Sequence, residues 1–380
     1  MKICAIICEY NPFHNGHLYQ LNEAKKRSGA DAVLCVMSGN FVQRGEAAIL
    51  DKFTRARHAV LAGADAVLEL PALFATSNAE LFAKGAIKLL SSIPEVEMLC
   101  FGAETADAEL FKRAAALLSN EPKEVSARIK TLLTRGVSYA KARAAAWEDW
   151  LPSELLCSPN NILGLEYAKA ILSLQASIEI LPIERKGSGY LSAELCENYS
   201  SATAIRQAVK EGKNVRNQLP DFVNNDLVQG TKSKLEILEK YALLTNSSEE
   251  IARVCDCGEG LENALKRVAG TNEPLVETLT SARYTASRIR RIALQNLLRI
   301  EERQIRESLD GDLYLRVLSA KSGRNDLLSV LGKANAPLLI RSHDENQLNE
   351  TQKKCYETDL FAEKIYSLLS ETEPKKDIFI

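Results

Sequence analysis

Four short runs of apolar and β-branched residues, KICAIIC from Lys2, AVLCVMS from Ala32, AVLEL from Ala66 and VEMLCFG from Val96, are each followed by a segment with helical apolar spacing. Strands that alternate with helices pair in parallel through crossovers, so this rhythm confines the chain to the α/β class. The expected architecture is a Rossmann-like, doubly wound parallel sheet with helices on both faces. An internal echo supports it: Gly29-Ala-Asp-Ala-Val-Leu34 and Gly63-Ala-Asp-Ala-Val-Leu68 read alike. In each, a glycine can close a helix and an apolar strand begins about three residues later.

From Thr105 to Trp150 the pattern turns helical and alanine-rich, as in ARAAAW, which predicts a helical insertion over about 105–155. The sheet pattern then resumes with SPNNILGLEYAKAIL from Ser158 as a capped helix, SIEILPI from Ser177 as a strand and SSATAIRQAVK from Ser200 as another helix. Beyond about Asn214 no clear strand alternation returns, and DLVQGTKSKLEILEKYALL and RIRRIALQNLLRIEE have helical periodicity. The turn formers Asn217, Pro220, Asp221, Asn224 and Asn225 mark a boundary. The expected domains are 1–218, with the chemistry, and a mainly helical 219–380, a length of 380 residues being ample for two cores.

A net charge of -2 gives no global attraction to polyanions, so contact with nucleic acid needs a local basic patch. No stretch approaches the roughly 20 apolar residues of a membrane span, and no cleavage site follows the amino-terminal run, so a cytoplasmic, membrane-free protein is expected. The nine cysteines lie mostly in apolar runs without CxxC pairs, which favours reduced buried thiols over zinc or disulfides. No metal site and no protein partner is expected.

Two of the four histidines stand three positions apart in NPFHNGH, directly after the first strand. Ligands of a doubly wound sheet gather beyond the carboxyl ends of its strands, so His14, Asn15, Gly16 and His17 fall on a strand-to-helix turn where backbone N–H groups and the positive helix end face an anion. Gly16 permits close approach, and the helix is expected to start at about His17. Two imidazoles there can donate hydrogen bonds to a leaving pyrophosphate as its charge builds, with no covalent work required. Incidental cap histidines and a zinc pair are the other readings, the latter without an evident third ligand nearby.

NPFHNGH resembles the HxGH signature of the nucleotidylyltransferase superfamily, related to the class I aminoacyl-tRNA synthetases. Many members have an aspartate where this chain has Asn11, so the negative charge near the turn is missing or comes from Glu9. The stretch Val36 to Pro71, with FGAE, SPNNILGLEY, SATAIR and ARYTASRIRR, is similar to the bacterial tRNA(Met) cytidine acetate ligase family. The resemblance implies that acetate and ATP, with Mg2+, give acetyl-adenylate, and that acetyl passes to the wobble cytidine of elongator tRNA(Met) as N4-acetylcytidine. AMP and diphosphate are released.

By that resemblance the ATP site is the segment Ile7, Cys8, Glu9, Tyr10, Asn11, Pro12, Phe13, His14, Asn15, Gly16, His17, Leu18, Tyr19 and Gln20. Gly102 ends the fourth strand on the active edge, though it also reads as a turn glycine. Asn160 and Asn161 could read adenine or ribose, one of them serving only as a cap. Arg185, the better candidate, and Lys186 offer cations after the fifth strand. Ser201, Thr203 and Arg206 resemble a second phosphate-binding signature, with a simple capping box as the competing explanation. His14, His17, Lys52 and Arg206 are the expected catalytic groups. Lys52 and Arg55 share a helical face, and Gln43 and Arg44 are candidates beside acetate.

Between Thr280 and Arg299 lie Arg283, Tyr284, Arg288, Arg290, Arg291 and Arg299 with no acidic residue. On a helix Arg288, Arg291 and Arg299 fall on nearly one side, with Arg290 off that stripe, and Tyr284 could stack on an exposed base. A solvated helix face is the usual reading of a charge run, but with the resemblance these six residues, and the helical domain that carries them, are expected to contact tRNA. The expected activity is a two-step ligase. Its rivals are an adenylyltransferase acting on a small phosphorylated cofactor precursor and a non-catalytic ATP-binding RNA-binding protein.

Overall fold

The computed structural model describes residues 1–137, 139–186, 199–227 and 234–371. The apolar runs form β1 (Ile3–Cys8), β2 (Ala32–Ser38), β5 (Ala66–Leu70), β6 (Val96–Ala103) and β7 (Glu179–Glu184). A small antiparallel hairpin, β3 (Phe41–Val42) and β4 (Glu46–Ala47), follows β2. The helix α1 (Asn15–Ser28) connects β1 to β2, and α2 (Lys52–Leu61) leads to β5. Two further strands come late, β8 (Leu315–Ala320) and β9 (Leu338–Leu339). One sheet has the order β7-β6-β1-β2-β5-β8-β9.

All pairings from β7 through β5 are parallel, while β8 lies antiparallel to β5. The chain winds from β1 to β2 and β5 on one side, then returns past β1 to add β6 and β7 on the other. The switch point is therefore the carboxyl end of β1, where a doubly wound sheet opens a crevice.

Side-chain alternation divides the core between the two faces. Ile3, Ala5 and Ile7 of β1 pack with the Ala79–Ser91 and Pro159–Ser173 helices, whereas Cys4 and Ile6 face α1, α2 and the Ala202–Lys210 helix. The repeated Gly-Ala-Asp-Ala-Val-Leu motif has a shared device. Asp31 accepts the Lys2 N–H at 2.8 Å and Asp65 accepts the Val33 N–H at 2.8 Å, so each aspartate holds the start of the neighbouring strand.

The segment 108–157 is helical throughout its described elements. The expectation that no strand follows about residue 214 is corrected by β8, which is buried along its whole length and joins the first sheet. Residues 219–380 thus include two β-strands of the main sheet, β8 and β9, as well as the helices of a separate core around Leu243, Leu265 and Ile292. Residues 228–233 of the expected helical stretch, and Cys196, lie outside the described residues.

A buried charge cluster explains how an arginine occupies the middle of β8. Arg316 pairs with Glu69 of β5 at 3.0 Å and with Glu363 of the Glu350–Ser370 helix at 3.6 Å. Lys52 reaches the same two carboxylates at 2.9 and 3.1 Å and is 1% exposed. Burial opposes the charge on Glu69, yet Lys52 and Arg316 hold its carboxyl below the ordinary range. Lys52 therefore ties the start of α2 to β5 and the last helix, a structural task rather than the expected catalytic one.

Removing one member of such a cluster leaves the others buried and uncompensated, which typically costs about 3–5 kcal/mol. Lys52→Met is expected to lose stability on that scale in denaturant unfolding. A variant as stable as the wild type would show that the cluster does not hold these elements together.

Candidate active site

The turn after β1 is built by its own histidines. His14 is the N-cap of α1: its Nδ1 accepts the Gly16 N–H at 3.0 Å, and the Nδ1 of His17 accepts the His14 N–H at 3.3 Å. Two backbone donors at the helix start are thereby satisfied reciprocally. A Cβ at Gly16 would stand 2.9 Å from His14 Cε1, so the glycine makes room for the imidazole. The helix begins at Asn15, slightly earlier than expected.

These bonds fix the chemistry of both rings. The imidazoles stack with centroids 3.6 Å apart. Burial, then Arg185 and Arg206, lowers the His14 pKa to about 3, and burial, His14 and Arg185 push His17 down as well. Both rings are neutral at pH 7. With each Nδ1 accepting a backbone N–H, the proton of each ring resides on Nε2. The turn presents two neutral Nε2–H donors.

Both rings line a cavity of about 190 Å3 at the switch point, together with Glu9, Asn11, Arg44, Arg185 and Arg206. Glu9 accepts the Gln43 N–H at 2.8 Å, fastening the β3–β4 hairpin to the end of β1. Asn11 accepts the Ile49 N–H through Oδ1 at 2.9 Å, and Arg206 donates to its carbonyl at 2.8 Å. This orientation leaves Asn11 Nδ2 as a buried donor with no partner among the described residues. Among these residues no three His, Cys, Asp or Glu side chains group as a metal site.

Of the amino-terminal segment, Ile7, Cys8, Glu9, Tyr10, Asn11, His14, His17 and Gln20 reach this cavity. Pro12 and Phe13 are buried, Leu18 packs against the core, and Asn15 donates to the Asn217 carbonyl at 2.8 Å. Gly16 and Tyr19 border a smaller adjoining cavity, where Lys186 lies over the Tyr19 ring. Gly102, Asn160, Arg185, Ser201, Thr203 and Arg206 converge on the main cavity, as do Gln43 and Arg44. At Gly102 a Cβ would meet Arg185 Cγ at 3.4 Å.

Several expected site residues are instead structural. Asn161 is fully buried, and its Oδ1 accepts the Glu104 and Thr105 N–H groups, both at 3.0 Å, so it anchors the turn after β6. Arg55 donates to the carbonyls of Glu9, Ser38, Gly39 and Leu50. Lys52 lies in the buried charge cluster. The aromatic wall of the cavity, Phe82, Phe101 and Tyr167, was not anticipated. A signal existed: Asn160, Leu163 and Tyr167 follow i, i+3, i+7 spacing on one helix and all line the cavity.

The arginine-rich segment also departs from expectation. The Ala286–Leu297 helix ends before Arg299, which lies over the Phe361 ring, so no single helical stripe joins it to Arg288 and Arg291. Arg288 donates to the Asp256 carbonyl, Arg291 sits 3.9 Å from the Asp256 carboxylate, and Arg283 pairs with Glu259. Tyr284 donates to the Glu259 carbonyl and packs against the helical core, leaving it poorly placed to stack on a base. Arg290, expected off the stripe, reaches Glu46 of the hairpin at 3.4 Å. Gly45 makes that approach possible: with φ +73°, its Cβ would stand 2.5 Å from the Arg291 nitrogen.

The HIGH Nucleotidyl Transferase family model matches residues 1–378. The tRNA(Met) cytidine acetate ligase of Caldanaerobacter subterraneus subsp. tengcongensis is 39% identical over 384 residues, covering 97% of this chain and 95% of that protein. The tRNA(Met) cytidine acetate ligase of Clostridium novyi is 37% identical, with coverage of 98% and 96%. Among solved structures, Thermotoga maritima TmcAL in its apo form superposes with a TM-score of 0.89 at 29% identity, covering both chains completely. Its form bound with alpha-thio ATP gives 0.87 at the same identity and coverage.

Neutral His14 makes a pH prediction. Its ordinary value is 6.5 and its folded value about 3, so between these the unfolded chain binds more protons and stability falls as pH drops. His14→Asn keeps an N-cap acceptor but removes this titration. The stability advantage of the wild type over the variant is expected to narrow as pH falls from about 6.5 towards 3 in equilibrium unfolding. A gap independent of pH would mean that the ring is not held neutral.

Proposed function

The chain belongs to the HIGH nucleotidyl transferase family and, within it, to the tRNA(Met) cytidine acetate ligases, and from that membership and the geometry of the turn after β1 we propose an ATP-dependent ligase that acetylates the wobble cytidine of elongator tRNA(Met). The observation that carries the reading is the pair of neutral imidazoles whose Nε2–H groups are left for a ligand at the switch point of the sheet.

In the first step an acetate oxygen attacks the α-phosphorus of ATP, the bond to the β-phosphate breaks, and pyrophosphate leaves with the electron pair. His14 and His17 donate to the departing diphosphate, an interaction that strengthens as charge accumulates there. Arg185 and Arg206 supply fixed positive charge without a proton to lose. The aromatic wall of Phe82, Phe101 and Tyr167 suits the adenine ring, with Asn160 beside it. In the second step the cytidine N4 attacks the acetyl carbonyl carbon, the bond to the adenylate oxygen breaks, AMP departs, and N4 releases one proton. No step requires a covalent enzyme intermediate.

The unpartnered Nδ2 of Asn11, a residue of the cavity wall, supports a role as donor to the acetate carboxylate or an α-phosphate oxygen. A magnesium ion arriving with ATP would take its ligands from phosphates and water, since no protein cluster for it exists among the described residues, and would neutralise phosphate charge. A tRNA substrate fits work in the cytoplasm, and no helix among the described residues is long and apolar enough to cross a membrane.

Incubation with ATP, acetate and tRNA, followed by mass spectrometry of the nucleosides, is expected to yield N4-acetylcytidine with AMP. AMP transfer to a small phosphorylated acceptor, with no need of acetate, would favour the adenylyltransferase reading instead. His17→Ala is expected to lose adenylate formation by about a hundredfold while retaining tRNA binding. Asn11→Asp replaces a donor by a carboxylate facing two anions, and the KM for acetate should rise about tenfold or more.

A further inference from the structure

A second cavity, of about 330 Å3, lies on the other side of the β3–β4 hairpin, between it, the Leu235–Thr245 helix and the carboxyl-terminal helix. Its size falls in the range of small-ligand sites. Much of the wall is apolar, from Val209, Leu235 and Val276, with Tyr366 beside them. The hairpin divides the two cavities, residues 42–44 lining the first and 45–49 the second, and Arg206 lines both.

Within this wall Glu239 stands out. It is 5% exposed, and its Oε1 has no hydrogen-bond partner among the described residues. Of the other acids in the lining, Glu46 pairs with Arg206 and Arg290, Glu236 accepts the Leu275 N–H at 2.8 Å, and Glu277 is exposed to solvent. Burial, with Glu236 nearby and Arg290 opposing, raises the Glu239 carboxyl to about 8. At neutral pH it is mostly protonated, an O–H donor beside a carbonyl acceptor. An unmatched buried carboxyl is costly, and a fold that needed only packing here would be served better by leucine.

A protonated carboxyl complements a donor and an acceptor lying side by side, as on the Watson–Crick edge of a nucleobase. RNA is read sequence-specifically when single-stranded bases are splayed apart into pockets. Resting on the ligase reading, we propose that the second cavity is a nucleobase subsite, which takes the base adjacent to the acceptor cytidine and pairs its edge with Glu239. Arg206, common to both cavities, then lies where the phosphate joining the two nucleotides must pass, and Lys210 at the exposed rim adds a second cation.

The test uses the full-length protein with tRNA(Met) and three readouts: hydroxylamine trapping of acetyl-adenylate without RNA, kcat and KM for tRNA acetylation, and the thermal midpoint. Glu239→Leu is expected to form adenylate normally, to keep or raise the midpoint, and to raise the KM for tRNA about tenfold or more. Glu239→Gln retains a donor and an acceptor in the same shape, and its KM should stay within about threefold of wild type. An unchanged KM in Glu239→Leu would overturn the subsite, as would equal loss of adenylate formation in both variants. Wild-type protein that forms adenylate but never acetylates tRNA would instead sink the ligase reading, and the subsite with it.

Discussion

Two hydrogen bonds, from the backbone N–H groups of His14 and Gly16 to imidazole Nδ1 atoms, set the chemistry of the site. Helix α1 needs acceptors for its first amides, and the imidazoles provide them in neutral form only. Protonation of either ring would remove an acceptor, place a charge in a buried site already facing Arg185, and unsettle the start of the helix. Helix capping and the phosphate recognition proposed for these rings would therefore be one requirement. A neutral donor suits a leaving group because it binds the ground-state triphosphate less strongly than a cation would, leaving more of its contribution for the charge that develops.

Cationic side chains fall into two populations. Lys52, Arg55 and Arg316 are buried and engaged by carboxylates or carbonyls, where they hold α2, β5, β8 and the last helix together. Arg185 and Arg206 border the cavity, where a phosphate can reach them. Both kinds look the same in sequence: a basic residue near a glycine-containing loop or a helix start. What separates them is where the fold puts the charge: carboxylates from distant segments enclose the first kind, Glu363 lying more than three hundred residues beyond Lys52, whereas the second kind keeps a face on the cavity.

The legible parts of the fold are those governed by local rules. The strand runs, the HxGH turn and the Gly-Ala-Asp echo each carry their signal within a few residues, and the carboxyl end of β1 follows from alternation alone. β8 was hidden because Arg316 and Ser319 interrupt its apolar pattern, and burying that arginine depends on Glu69 and Glu363. The arginine-rich helix misled for the complementary reason. Its lack of local acids suggested free charge, but Asp256, Glu259 and Glu46 come from other segments. Asn160 and Asn161 are adjacent in sequence, and a helix turn of about 100° between them sends one to the cavity and the other to the chain.

The hairpin separates the two cavities, and under the proposed subsite it would link the two halves of the reaction. Glu9 holds it to the end of β1, while Gly45 lets its tip meet the backbone of the Ala286–Leu297 helix, so it cannot shift without disturbing both the nucleotide turn and the helical region. An acyl-adenylate is prone to hydrolysis, and a ligase that makes one before using it gains by keeping the acceptor site next door. With the neighbouring base held across one hairpin and one arginine, as proposed, the anhydride could stay on the β1 turn and only the acceptor cytidine would have to be brought to it. With the proposed subsite on the far side of the hairpin from the histidines, phosphate chemistry and RNA reading could be altered separately while their geometry remains locked.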